Sequence, residues 1–159
     1  MYKQIIIARK DLKISPAKLS AQVSHASMAF LTNQMRRHCE IPDKCDFMSD
    51  GRQYKNHGYL KCSVFVTKEC YEQWVNESFT KVVLQARNRN HLLKAKTMAE
   101  ELGMKEGQDF FLIRDECRTE LEPEEVDENG VGRTLTCIGF TPMDSEIINK
   151  IGKKYHLYV

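Results

Sequence analysis

The chain has 159 residues, of which 42% are hydrophobic and 29% charged, and its formal net charge is +2. This length fits one domain with an adequate core, and the near-neutral charge excludes nucleic-acid binding through overall positive charge, so that any such site must be a local patch. No apolar run approaches the roughly 18 residues that a membrane span requires. Six cysteines without a secretory signal predict reduced thiols and a cytoplasmic protein.

A strand followed by a long helix is predicted at the start of the chain. The apolar run at 3–9 indicates the strand, and a short polar joint separates it from Ser15 and Pro16. Ser15 fits the N-cap and Pro16 the first helical position, where its missing N–H is not needed. Helical spacing then continues to about residue 37 and gives a core-facing stripe of Leu19, Val23, Ala26 and Phe30.

A second stripe on this helix is polar. Lys18, Gln22 and His25 stand at positions i, i+4 and i+7, and therefore project from one side of the helix. The helix dipole disfavours a cation in the first turn, which suggests that Lys18 has another purpose. Spacing alone leaves two interpretations open, a solvated surface or part of a site.

The segment at about 38–67 is predicted to be an insertion, since residues 38–61 are polar and have no sustained period. Residues 61–66 fit either a short strand or the approach to a helix over 68–77. Five possible zinc ligands occur here: His38, Cys39, Cys45, His57 and Cys62. Their irregular intervals, without any Cys-x-x-Cys, favour free thiols over a metal site.

The remainder alternates strands and helices. Strands are predicted at 81–86, 109–113 and 134–140, with an edge strand at 156–159. One helix, capped by Asn88 or Asn90, is expected to bury Leu92, Ala95, Ala99 and Leu102 and to stop at Gly103, and a second over about 144–151 presents Ile147, Ile148 and Ile151. We therefore predict a single three-layer α/β/α domain whose mixed, mainly parallel four-stranded sheet has helices on both faces.

This architecture suggests where a site forms. In open α/β sheets, ligands bind beyond the carboxyl ends of parallel strands. The first helix follows the carboxyl end of strand 3–9, and Asp115 follows the carboxyl end of strand 109–113. If the two strands are parallel, Lys18 and Asp115 converge across about a hundred residues of sequence.

Three ordered blocks carry a resemblance to a known family. They are Arg9-Lys10-Asp11-Leu12-Lys13 with Lys18-Leu19-Ser20-Ala21-Gln22 and His25-Ala26, then Leu112 to Pro123, and finally Thr134 to Gly139. These blocks resemble the type 2 peptidyl-tRNA hydrolases, the archaeal and eukaryotic kind, over the whole chain except its middle. The resemblance implies a hydrolase that cleaves the ester between peptide and tRNA and recycles tRNA, with peptidyl-tRNA as partner, no cofactor, no metal and a possible homodimer.

Site roles follow from the same resemblance. Lys18, Asp115, Thr119 and His25 are predicted to be catalytic. Asp115 suits a general base or water-orienting group, and Lys18 suits an oxyanion stabiliser. The resemblance also makes Gln22 and Thr134 substrate-binding candidates. Phosphate contacts must come from local cations, and the chain offers Lys10, Lys13 and Arg118, together with Arg9, Arg36 and Arg37. His25 is also compatible with a partly buried structural role.

Three departures from the family pattern leave an alternative open. One is the insertion at 38–61, which could form a lid, a dimer contact or nothing functional. Where the family has Asp-Ala-Gly-Arg-Thr, this chain places Glu116 and Cys117 between Asp115 and Arg118, so Cys117 is strained if the position requires a positive φ. An acidic loop at 120–133 repels tRNA phosphates unless it folds away over Asn129-Gly130. The alternative is an inactive hydrolase-like module that binds tRNA or a protein partner. A Cys117 nucleophile activated by His25 is a further, less favoured interpretation.

Overall fold

A computed structural model describes residues 1–40, 46–47, 53–54 and 60–159. The chain divides into two compact units, residues 1–30 with 67–159 and residues 31–66. The helices are α1 (Pro16–Arg37), α2 (Lys68–Cys70), which continues as a π-helix (Tyr71–Ser78), α3 (Arg89–Glu101) and α4 (Ser145–Gly152). The strands are β1 (Tyr2–Arg9), β2 (Cys39–Glu40), β3 (Asp46–Phe47), β4 (Gln53–Tyr54), β5 (Lys61–Cys62), β6 (Lys81–Ala86), β7 (Phe110–Asp115), β8 (Glu125–Val126), β9 (Gly132–Phe140), β10 (Met143–Asp144) and β11 (His156–Leu157).

The first unit is built on a seven-stranded mixed sheet. Its main path runs β11-β6-β1-β9-β7, while β10 pairs with β1 and β8 pairs with β9. Within this sheet β1 and β6 are parallel, and each of the other pairs is antiparallel. The α/β prediction is therefore confirmed, but the prediction of a mainly parallel four-stranded sheet is wrong.

The physical reason is that burial on both faces does not require parallel neighbours. Strand β9 is antiparallel to both β1 and β7, and yet residues 134–140 are all buried. Apolar runs without alternation are typical of parallel strands covered by helices, which is why they favoured that arrangement. The return of the chain from β7 through the acidic loop to β9 inserts an antiparallel strand between β1 and β7.

Helices cover both faces of this sheet, as predicted. Ile5 and Ile7 of β1 belong to a core cluster that includes residues of α3 and α4, whereas Ile6 and Ala8 pack with Ala26 of α1. Successive residues of a strand point to opposite faces, so these two clusters lie on opposite sides of β1.

α1 approaches the sheet closely where it crosses β9. A Cβ added at Gly139 would lie 2.8 Å from the backbone carbonyl carbon of Ala26 and would collide with the carbonyl oxygen. Glycine at this position therefore lets the backbone of α1 lie directly on β9, which holds the helix near the sheet.

Element boundaries mostly match the predictions. The helix predicted at 16–37 and the strand predicted at 81–86 are observed with those bounds, and the side chain of Asn88 caps α3. The predicted burial of Leu102 is wrong, because Leu102 is the C-cap of α3 and is 40% exposed. Of the isoleucines on α4, Ile148 and Ile151 are buried and Ile147 is 46% exposed.

In the second unit, Cys39 and Cys62 form a disulfide between β2 and β5, so the prediction of free thiols is wrong for this pair. Cys70, Cys117 and Cys137 are free, while Cys45 and His57 lie outside the described residues. Within the described ranges, no group of three His, Cys, Asp or Glu side chains is placed to hold a metal ion. The same residues include no helix that is both long and apolar enough to cross a bilayer.

Candidate active site

Strand direction brings the two halves of the site to one edge of the sheet. Both β1 and β7 pair antiparallel with β9, which lies between them, so β1 and β7 run in the same direction. Their carboxyl ends therefore lie at the same edge. The first turn of α1 follows β1 there, and Asp115 is the last residue of β7.

Lys18 and Asp115 form the centre of the cluster. The Lys18 Nζ lies 2.8 Å from the Asp115 Oδ2, and the two side chains are only 14% and 12% exposed. Lys18 Nζ also donates to the Thr119 Oγ1 at 3.2 Å. Lys18, Asp115 and Thr119 thus converge as the sequence predicts. The helix dipole disfavours Lys18 in the first turn of α1, and the ion pair with Asp115 offsets this.

Gln22 adds a third hydrogen bond from α1 to the sheet. Its Nε2 donates to Asp115 Oδ2 at 2.7 Å, although Gln22 itself is buried. Its Oε1 accepts a hydrogen bond from the Thr136 hydroxyl at 2.7 Å. Because that oxygen faces a donor, the amide is held with its NH₂ group toward the carboxylate.

Thr136 is the site residue that sequence reasoning missed. It lies in β9 with its side chain buried, and its hydroxyl also lies 3.2 Å from the Ile113 carbonyl oxygen. Threonine is common in strands because it is β-branched, so its presence in an apolar strand does not indicate a functional role. The one available signal was a second polar residue two positions after Thr134, on the same face of the strand.

Asp115 is held in its ionised form. Its Oδ1 accepts the Cys117 backbone N–H at 2.9 Å, opposite the oxygen that Lys18 and Gln22 engage. Burial acts to raise the pKa of Asp115, but the hydrogen bonds and charge of Lys18, with the bonds from Cys117 and Gln22, lower it overall. The carboxylate is consequently a strong anchor and a weak proton acceptor at neutral pH.

Cys117 occupies a left-handed backbone conformation, with φ of 54°. The strain expected for a non-glycine residue at this turn is therefore present. Its Sγ lies 3.3 Å from the Thr134 Oγ1 and 3.5 Å from the Asp115 carbonyl oxygen. The turn nevertheless directs the Cys117 N–H at the Asp115 carboxylate.

His25 and the predicted phosphate-binding residues lie outside the central cluster. His25 is exposed on α1, and its side chain makes no hydrogen bond or ion pair within the described residues. Lys10 donates to a backbone oxygen of Val159 and stands over the Tyr158 ring, and Lys13 is exposed. Arg118 is exposed and pairs with Glu116 at 2.5 Å.

Thr134 and Arg9 are buried, and their polar groups bond within the protein. The Thr134 hydroxyl donates to the Glu122 carbonyl oxygen at 2.7 Å and accepts the Glu124 N–H at 3.1 Å. Arg9 is 3% exposed and pairs with Asp11 at 2.8 Å and with Glu124 at 2.7 Å. The expectation that Arg9 contacts a phosphate is therefore wrong, because its guanidinium is enclosed by these carboxylates.

Most acidic residues of the 120–133 loop have partners in the protein. Glu124 pairs with Arg9, Glu125 with Arg89 at 2.5 Å and Arg114 at 2.8 Å, Asp127 with Arg133 at 2.9 Å, and Glu120 with the N-terminus of α1. The loop consequently presents much less uncompensated negative charge than its composition suggests.

Comparison with known proteins gives the family of this chain. The family model described as peptidyl-tRNA hydrolase PTH2 matches residues 2–158. The chain belongs to the peptidyl-tRNA hydrolase PTH2 family. Similar curated proteins, each named peptidyl-tRNA hydrolase, include one from Methanopyrus kandleri, 30% identical over 95% of this chain and 93% of its own. Others come from Thermococcus sibiricus, 31% identical over 94% and 92%, and Thermoplasma acidophilum, 24% identical over 98% and 97%.

Proposed function

We propose that this PTH2 family member hydrolyses the ester bond between the peptide and the terminal ribose of tRNA in peptidyl-tRNA and so recycles tRNA. The observation that carries the proposal is the convergence of Lys18, Asp115 and Thr119 at one edge of the sheet. The family match along nearly the whole chain and the names of its relatives support the same activity.

In this reaction Lys18 stabilises the charge that develops on the acyl oxygen. An ammonium has three N–H donors, and Asp115 and Thr119 engage two of them. The third donor is available to an oxyanion that forms when water attacks the acyl carbon. The ion pair and the low exposure of Lys18 hold this donor in place before the reaction, which is the arrangement that makes electrostatic stabilisation effective.

Asp115 orients the attacking water more than it deprotonates it. Its lowered pKa makes it a weak general base, because its carboxylate already accepts bonds from Lys18, Gln22 and Cys117. A carboxylate has about four lone-pair positions, so one remains for a water molecule. We therefore assign Asp115 the roles of holding Lys18 and directing the water.

Thr119 is the exposed member of the cluster with Lys18 and Asp115. Its hydroxyl oxygen accepts from Lys18, so its own proton is free to point outward. It is exposed, unlike Thr134 and Thr136, and can therefore reach a substrate. We assign it a hydrogen bond to the tetrahedral intermediate or to the departing ribose oxygen.

The tRNA backbone contacts the exposed basic residues around this edge. Lys10 and Lys13 lie in the segment between β1 and α1, and Arg118 lies in the turn after β7. Lys10 and Lys13 are close in sequence to Lys18, and Arg118 is close to Asp115. Cations near a site bind phosphates without reading bases. His25, on the exposed side of α1, is a further substrate contact in this proposal.

The test is release of tRNA from a purified N-blocked aminoacyl-tRNA by the full chain. We expect turnover by the natural sequence, its loss in Lys18→Ala and Asp115→Asn, and its retention in Cys117→Ala. Binding of tRNA without any turnover by the natural sequence would contradict the proposal and favour the inactive module. Loss of turnover in Cys117→Ala, with an unchanged melting temperature, would instead support a cysteine nucleophile.

A further inference from the structure

The residue after Thr119 tethers the turn that carries it to α1. Glu120 Oε2 accepts the Ser15 backbone N–H at 2.7 Å, and its Oε1 accepts the Ser15 hydroxyl at 2.5 Å. Ser15 in turn caps α1, because its Oγ accepts the Lys18 N–H at 3.1 Å. One carboxylate therefore joins the 116–120 segment to the same helical turn from which Lys18 projects.

Thr119 itself makes few contacts, although Glu116, Cys117 and Leu121 around it are held by an ion pair, a hydrogen bond and burial. The segment at 116–120 has no regular secondary structure, and Cys117 within it has the strained left-handed backbone. Thr119 is exposed, and its hydroxyl has one hydrogen bond within the described residues, the 3.2 Å bond from Lys18. The two bonds of the adjacent Glu120, at 2.7 and 2.5 Å, therefore add a restraint on the position of Thr119 that its own single bond does not supply.

We propose that Glu120 is a positioning residue that holds the Thr119 hydroxyl against Lys18. The effect of Glu120 on catalysis rests on the proposed function, whereas its two hydrogen bonds to Ser15 are independent of that function. Glu120 makes no contact with substrate in this proposal, and Ser15 is the residue of α1 to which it is bonded. A carboxylate that only lay near the N-terminus of α1 would interact favourably with the helix dipole, but it would have no specific effect on Thr119.

The primary experiment compares Glu120→Ala with Glu120→Gln and with Glu122→Ala. Glu122 is a matched control because its side chain is exposed and makes no hydrogen bond or ion pair in the described parts of the chain. Small displacements of a positioned group cost up to about 100-fold in rate. We expect Glu120→Ala to lower kcat by roughly 10- to 100-fold with little change in KM, and Glu122→Ala to behave as the natural sequence.

The glutamine variant separates tethering from charge. Its amide oxygen can accept the Ser15 N–H, and its NH₂ can donate to the Ser15 hydroxyl, but its charge is absent. We expect kcat to recover within about threefold of the natural value, because a tether needs the bonds only. If Glu120→Gln is as impaired as Glu120→Ala, Glu120 acts through its charge on Lys18 and the positioning proposal is wrong.

A double-mutant cycle of Glu120→Ala and Thr119→Val tests whether Glu120 affects kcat through Thr119. If Glu120 acts through Thr119, Glu120→Ala lowers kcat in the natural sequence but has no further effect in Thr119→Val. Single turnovers with enzyme in excess over N-blocked aminoacyl-tRNA make the slow variants measurable. Equal losses in both backgrounds would overturn the proposal, since they would show a structural effect unrelated to the hydroxyl.

Amide hydrogen exchange tests the tether without reference to activity. We expect Glu120→Ala to accelerate exchange at Ser15 and at residues 117–119, while Glu122→Ala does not, and unchanged exchange would overturn the inference. If the natural sequence has no hydrolase activity at all, the proposed function fails, and this exchange measurement still decides whether Glu120 holds the turn.

Discussion

The hydrogen bond from Thr136 to Gln22 leads to a specific prediction for Thr136→Val. Valine matches threonine in shape but cannot donate to the Gln22 Oε1, which the hydroxyl now contacts at 2.7 Å. The buried amide then either leaves this oxygen unsatisfied or rotates. Rotation would direct the oxygen instead of the NH₂ group at the Asp115 carboxylate, where repulsion would replace the present hydrogen bond.

The structure sets the scale of both effects. An unsatisfied buried acceptor costs about 1–3 kcal/mol, and for a chain of this size each kcal/mol lowers the melting temperature by about 2–4 °C. A hydrogen bond to a charged group contributes about 1.5–3 kcal/mol. If the loss of the bond to the Asp115 carboxylate costs the transition state about 1.5 kcal/mol, kcat falls by roughly tenfold, because about 1.4 kcal/mol corresponds to a factor of ten.

The pH dependence of kcat in Thr136→Val has a definite sign. The Gln22 bond is one of the contacts that lower the pKa of Asp115, so its loss raises that pKa. Because the ionised carboxylate is the active form, activity is lost as pH falls through this pKa. The acidic limb of the profile therefore moves to higher pH in Thr136→Val, and it stays in place in Thr136→Ser, which keeps the hydroxyl.

The assay is kcat against pH with N-blocked aminoacyl-tRNA, together with thermal unfolding. Thr141→Val is the matched control, since it removes a hydroxyl that bonds the Gln108 carbonyl oxygen and touches none of the site residues. A Thr136→Val protein with a lower melting temperature but natural kcat and natural acidic limb would refute the reasoning. Thr136 would then be a structural residue only.

Three further predictions concern other parts of the site and the fold. Glu116→Gln breaks the ion pairs of Glu116 with both Arg118 and Arg133, so KM for tRNA substrates should fall and its salt dependence should steepen; unchanged values would show that neither arginine contacts a phosphate. Gly139→Ala forces a methyl group against the Ala26 backbone, and urea unfolding should show a loss of at least about 1–3 kcal/mol. Cys117→Gly relieves a left-handed conformation that costs about 1–2 kcal/mol, so it should be at least as stable and fully active, and abolished turnover would contradict this assignment of its role.

The sequence was sufficient to predict the central pair of the site. Ser15 and Pro16 marked the start of α1, and the apolar run before Asp115 marked a buried strand. Convergence of Lys18 and Asp115 required only that β1 and β7 share a direction. They do so through an antiparallel strand between them, so the expected geometry was right although the expected sheet was not.

The remaining features depend on contacts that local patterns do not encode. The Thr136 bond spans 114 residues, and neither partner has a motif that points to the other. Gln22 shares a stripe with exposed His25 but turns inward to the carboxylate, because helical spacing defines a side and not its depth. The Cys39–Cys62 disulfide depends on the pairing of two short strands, and composition favoured free thiols.

The acidic loop shows why a count of charges misjudges a nucleic-acid site. A run of carboxylates beside the active site should repel phosphates over a Debye length of about 8 Å at physiological salt. In this fold Glu124 and Glu125 contact Arg9, Arg89 and Arg114, so their negative charge is compensated at the surface where it arises. Closely paired opposite charges produce a field that decays faster with distance than that of either charge alone. The loop therefore braces the strands that carry the candidate site, and the proposed phosphate contacts fall to the exposed cations Lys10, Lys13 and Arg118.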